Sequence, residues 1–180
     1  MLKIPMDKDP EFWLSGPIPG ITPLLQPAAH ALLQSGRELT NYTHGFNEDL
    51  LWTKLSGRAS VGFHIQHLTG VLDRMLTYTQ SKSLTEEQFS YLKNEGNPNT
   101  LSNTMELVEA FNVKVAEALE YFRTIPESEL THKRTVGRKK LPSTVLGLLF
   151  HAAEHSQRHI GQLLVTVSVL NEYQGTSKKE

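Results

Sequence analysis

Three histidines recur at four-residue spacing towards the C-terminal end of the chain, in His151-Ala-Ala-Glu-His155-Ser-Gln-Arg-His159. On an α-helix each ring is turned about 40° from the last and lies roughly 6 Å further along the axis, so all three share one stripe. Neutral imidazole is the commonest protein ligand for zinc and suits several other divalent ions. Two imidazoles one turn apart can grip a single ion when another helix supplies a further ligand. His64-Ile-Gln-His67 offers that ligand. Spacing alone chooses neither between His151/His155 and His155/His159 nor between His64 and His67.

The helix that carries the stripe must turn it towards a neighbour. With His151 as zero, Gln162 falls at about 20° and Thr166 at about 60°, extending the polar stripe. Leu149, Ile160, Leu163, Leu164 and Val167 fill the adjoining apolar arc. The histidines therefore border the buried face. Gly161, on the far side, is expected to let a neighbouring helix approach closely. Burying several imidazoles without partners costs a few kcal/mol, so a shared ion is favoured over coincidence.

Four long amphipathic segments can position these residues. The first runs from Leu24 to about Thr40 on Leu25, Ala28, Ala29, Leu32 and Leu33. The second starts after Ser60 as N-cap and continues to about Thr79, with Val61, His64, Leu68, Val71, Leu72 and Met75 on its apolar arc. Ser83-Leu-Thr-Glu86 reads as a capping box opening a short extra helix to about Asn94. The third long helix spans roughly Ser102 to Thr124 and ends at Pro126, with Leu107, Val108, Phe111, Val115, Leu119 and Phe122 in register. A basic stretch around Thr131–Lys140 suits a hairpin at Gly137, and Pro142-Ser143-Thr144 then caps a fourth long helix to about Leu170. Trp52 is expected to pin the connection between the first two helices onto the core. Residues 1–22 read as an irregular arm, 23–172 as the domain and 173–180 as a disordered tail. The fold class is all-α: a four-helix bundle with one short extra helix and long inter-helix connections.

Composition narrows the chemistry. There are no cysteines, so thiolate metal sites, cysteine nucleophiles and disulfides are excluded. Any metal must be held by nitrogen and oxygen. A net charge of −1 gives no global attraction for nucleic acid or anionic membrane. No apolar run approaches the ~20 residues of a membrane span, and residues 1–20 lack the apolar core of a secretory signal; a cytoplasmic location is the default expectation. His-Glu-x-x-His is absent, the lone Glu-x-x-His spacing (Glu129 to His132) falls in the basic stretch, and there is no Gly-rich phosphate loop.

The segment Gly62-Phe-His-Ile-Gln-His-Leu-Thr-Gly-Val-Leu-Asp-Arg74, followed by His151…His155…His159-Ile-Gly-Gln162, resembles the DinB-like (YfiT-like) family of metal-binding four-helix bundles. The likeness runs from about Leu24 to Leu170 and is specific in the two histidine segments. It implies that His67, His155 and His159 are the metal ligands. Ile160 stands where the family often has arginine, while Gly161 and Gln162 match. His64 and His151 become candidates for supporting a ligand or touching substrate. Gln162 and Thr166 could orient a bound group. Arg74, close to the face of His67, is an anion-binding candidate whose plainer role is a solvated ion pair with Asp73, and Tyr78 is similar. The resemblance further implies one divalent ion, zinc first and nickel as the alternative, with a low-molecular-weight thiol as potential co-substrate. Its expected activity is that of a hydrolase or a thiol-dependent transferase acting on a small molecule. A non-enzymatic bundle using its metal for stability is the competing reading, and a partner-binding module using Trp13, Trp52 or the 1–22 arm is a third. Homodimerisation through an exposed bundle face is a further expectation.

Overall fold

The computed structural model describes residues 9–98 and 103–177, with side chains through 173. Among the described residues the α-helices and strands follow in the order α1 (Gln26–Thr43), α2 (Val61–Thr79), α3 (Glu86–Asn94), α4 (Thr104–Thr124), β1 (Lys133–Val136), β2 (Leu141–Thr144) and α5 (Val145–Ser177), with short 3-10 turns between some of them. Helices α2, α4 and α5 start where side chains satisfy their free N–H groups, whereas α1 carries Pro27 in its first turn and has no side-chain cap. Ser60 Oγ accepts from the Phe63 N–H at 3.1 Å, Asn103 Oδ1 from Glu106 at 2.9 Å, and Thr144 Oγ1 from Gly147 at 3.0 Å.

The four long helices form a bundle in which α1 and α4 each pack against α2 or α5 as neighbours: the principal contacts are α1·α5, α2·α5, α2·α4 and α1·α4. Helices α1 and α2, consecutive in sequence, therefore sit across a diagonal, as do α4 and α5. Each diagonal step needs a long connection. The first is the loop carrying Leu51, which is fully buried, and Trp52, which packs against the core. The second contains the hairpin, with Lys133 opposite Thr144 and Val136 opposite Leu141. Arg134 donates from Nε to the Thr79 carbonyl at 2.5 Å, docking the hairpin on the end of α2. Arg138 lies 5.4 Å above the Phe89 ring. Phe111, Phe122, Leu32, Leu39, Ile65, Leu68, Leu72 and Leu149 form the centre of a single core.

Several local expectations shift. The short helix α3 begins two residues late, because Thr85 rather than Ser83 makes the reciprocal cap: its hydroxyl accepts from the Gln88 N–H and the Gln88 side chain accepts from the Thr85 N–H. Gln88 Nε2 also donates to Asp73 and Thr77 on α2, so tertiary bonds favour this register. The last helix runs on to Ser177, through most of the segment assigned to a disordered tail; no proline interrupts it after Leu170. Residues 178–180 lie outside the described residues. The arm from 9 to 22 is irregular but strapped to α1: Gln26 bonds the backbone of Ile18 and Ile21, and Arg37 stacks 4.5 Å over the Phe12 ring. Among the described residues no helix is long and apolar enough to cross a membrane.

Gly62 opens α2 directly beneath Trp52. A Cβ there would lie 2.5 Å from the indole Cζ3. Gly→Ala in a helix ordinarily stabilises by about 1 kcal/mol, whereas overpacking a rigid ring costs about 1–3 kcal/mol. Gly62→Ala is therefore expected to lower Tm by a few degrees, yet to raise it in a Trp52→Ala background. Thermal melts of the four proteins check this, and a raised Tm in the wild-type background would contradict the packing.

Candidate metal centre

Neighbouring helices α2 and α5 each turn a histidine pair towards the other. His67 Nε2 meets His155 Nε2 at 2.9 Å, and His64 Nδ1 meets His159 Nδ1 at 2.9 Å. The rings of His67, His155 and His159 have centroids 4.5–5.1 Å apart, pair by pair. One nitrogen from each of these three lies within 4.8 Å of the other two. The expected triad thus shares one point in space.

His67 is held from behind. Its Nδ1 lies 2.6 Å from Glu95 Oε2, while Glu95 Oε1 accepts from Arg74 Nη1 at 2.7 Å. The carboxylate and guanidinium side chains are only 5% and 8% exposed, so each needs the other to offset the loss of water. With Nδ1–H donated to the carboxylate, His67 presents a bare lone pair on Nε2. A carboxylate behind a ligating histidine is the usual means of setting tautomer and ring direction. Phe63 stacks on the other side of His67, 13° from parallel.

Sequence reasoning missed Glu95. It follows α3 at the break in the chain and reaches His67 only because Gln66 clamps that break: Gln66 Oε1 accepts from the Gly96 N–H at 2.7 Å and Nε2 donates to the Asn97 carbonyl at 2.9 Å. Tyr91 adds an O–H bond to the Gln66 carbonyl at 3.0 Å. Gly70 leaves the space the ion pair occupies, since a Cβ there would stand 2.5 Å from Glu95 Oε1 and 2.6 Å from Arg74 Nη1. The only sequence signal was an acidic residue beside a Gly-Asn-Pro break, and the chain has 19 acidic residues to choose among.

Arg74 is therefore buried against Glu95 instead of pairing with Asp73 in solvent, and Asp73 pairs with Lys114 at 3.0 Å. Gln162 is exposed on α5, outside the hydrogen bonds of the cluster, and the Thr166 hydroxyl bonds the Gln162 carbonyl at 3.0 Å. Gly161 is exposed with no neighbour within 4 Å of a Cβ, so it admits no close helix, contrary to expectation. His151 sits at the outer end of the stripe, its Nδ1 2.8 Å from Glu154 Oε1. Surface depressions beside Thr69 and Lys114 are lined by α4 or by Arg74 and Tyr91, and not by the histidines.

The donor set fits a divalent cation. Burial first, and the neighbouring His67 second, push the His64 and His155 rings down to about 4 and His159 to about 3. These three imidazoles are neutral near pH 7, the form that binds metal. Tetrahedral zinc with Zn–N near 2.0–2.1 Å would separate its nitrogens by about 3.3 Å, a small opening from the contact between His67 and His155. His155 Nδ1 is buried without a hydrogen-bond partner, a sign that the cluster's own hydrogen bonds do not satisfy it.

What these observations define is a helical bundle with a three-histidine cluster between two of its helices. The profile of the DinB superfamily matches residues 31–163, and the chain belongs to that superfamily. A crystal structure of a DinB-like protein from Bacillus cereus ATCC 10987 superposes with a TM-score of 0.60, covering 82% of this chain and 91% of that one at 16% identity, and so shares the fold. Comparison with functionally curated proteins gives no match.

Two outcomes follow. Glu95→Gln keeps the shape but removes the charge behind His67, and is expected to weaken zinc binding by about 10–100-fold, as for other outer partners of ligating histidines; titration against a chromophoric chelator measures it. In metal-free protein the depressed histidine pKa values make the unfolded chain take up protons first. Stability should be fully present above pH 6.5 and decline as pH falls towards 4 and 3. Melts in chelator from pH 7.5 to 4 test the sign, and a flat Tm over pH 6.5–4.5 would contradict it.

Proposed function

We propose that the protein is a metal-dependent enzyme acting on small molecules, with one divalent ion, zinc first and nickel second, held by His67, His155 and His159. The observation that carries this reading is the convergence of those three rings, with His67 buttressed by Glu95 and Arg74. Three imidazoles with an open flank are the ligand count of a catalytic rather than a closed structural site. When bound, such an ion supplies Lewis acidity, lowering the pKa of water towards ~7 and favouring the thiolate of a thiol.

The chain's own residues do the rest. Glu95 accepts the Nδ1–H of His67 on one oxygen and the Arg74 guanidinium on the other, so the His67 ring is fixed with its Nε2 lone pair directed at the centre. His64, buried on α2, meets His159 Nδ1 to Nδ1; with His159 as the donor, the His159 Nε2 lone pair is left for the centre. Phe63 covers the face of His67 and excludes water from that side. His151, whose side chain is 45% exposed, stands at the solvent flank, where it can meet a substrate or pass a proton. The reaction class is attack on a small electrophile, by hydroxide in a hydrolase or by a low-molecular-weight thiolate in an S-transferase. Gln162, free of side-chain bonds within the cluster, is available to a bound substrate.

Protein as isolated is expected to contain near-stoichiometric divalent metal by elemental analysis, and His155→Ala to lose it. Turnover of thiol-plus-electrophile or hydrolysable substrates should disappear with chelator and return with metal. No turnover across such a screen, together with a large chelator-induced fall in Tm, would make the centre a structural brace instead.

A further inference from the structure

A second group of potential ligands lies one turn out along α5 from the central cluster. His151, Glu154 and His155 place one ligand atom each within 4.8 Å of one another. The His151 and His155 rings are 5.1 Å apart, and His151 Nδ1 is 2.8 Å from Glu154 Oε1. The group is graded in exposure: His151 is 45% exposed and Glu154 33%, whereas His155 Nδ1 is fully buried and lacks a hydrogen-bond partner. His155 belongs to both groups. An ion in the outer group therefore shares a ligand with the inner one and is held by the more exposed side chains.

The outer group is built to be weak. Both Glu154 oxygens already accept from Arg158 Nη2, at 2.7 and 2.8 Å, and a guanidinium beside a dication repels it. Arg158 is itself 52% exposed, so that pair contributes little stability and breaks readily. The inner group has three imidazoles and a braced His67, and no hydrogen-bonded guanidinium must be displaced before its nitrogens can bind. Simultaneous occupancy would ask one imidazole to serve two cations. Successive occupancy asks only that His155 exchange partners.

Resting on the metal-binding reading above, the geometry points to a loading position: His151, Glu154 and His155 capture a divalent cation from solvent and hand it through His155 to His67 and His159. Arg158 acts as the latch, covering Glu154 until a cation displaces it.

The test is stopped-flow exchange of Zn2+ between the metal-free protein and a chromophoric chelator, read for association rate, dissociation rate and equilibrium affinity. His151→Phe keeps the ring but removes the ligand. Because a lost intermediate raises the barrier equally in both directions, it should slow association and dissociation together by roughly five-fold or more, with affinity held within about two-fold. Glu154→Gln should act in the same sense, and Arg158→Ala should speed both rates. Unchanged rates in His151→Phe would overturn the proposal. So would a faster dissociation with weakened affinity, which would make His151 a ligand of the central ion. Failure of the wild-type protein to take up zinc would remove the metal-binding reading itself and the loading position with it, an outcome distinct from binding at unaltered rates.

Discussion

A carboxylate buried between a guanidinium and an imidazole organises this protein's centre. Glu95 divides its two oxygens between Arg74 and His67. Removing such a carboxylate's partner would leave an uncompensated charge out of water, so the three groups hold one another to a narrow geometry. The consequence for His67 is a defined proton position and a directed lone pair. Around that axis the other parts fall into place: Gln66 clamps the chain break, Gly70 makes room, and Phe63 closes the opposite face.

The bundle topology supplies the second constraint. Placing α1 diagonal to α2, and α4 diagonal to α5, makes α2 and α5 neighbours although α3, α4 and the hairpin separate them in the chain. The histidines then face one another across a helix interface, the spacing at which side chains from two helices meet. Burial first, and the neighbouring rings second, oppose protonation of His64, His155 and His159 and so keep these three as lone-pair donors at neutral pH. The crowded cluster has no good internal solution in hydrogen bonds, as the orphaned His155 Nδ1 shows. A cation suits such a donor set better than a proton does.

The long helices were legible because their apolar residues repeat with the helical period, and Ser60 and Thr144 cap two of them through local bonds. The hairpin was legible from Gly137, which turns with φ +67°. The register of α3 was less so: Ser83 and Thr85 both offer hydroxyls, and bonds from Gln88 to α2 favour the later start. Gly161 and Gln162 illustrate the limit of wheel arithmetic. Helical periodicity sets their angles on α5, but which arc meets a neighbour depends on where that neighbour stands.

By itself the sequence determined that two segments carry histidines at helical spacing, that no thiolate could join them, and that four amphipathic helices were available to bring them together. Those properties are local, set by side-chain type and by 3.6-residue periodicity. Only the tertiary structure decided that Glu95 stands behind His67, that Arg74 turns inward to it, and that His151 remains at the surface with Glu154. Each of these depends on how distant helices and one clamped chain break share space, and a one-dimensional pattern carries no term for that.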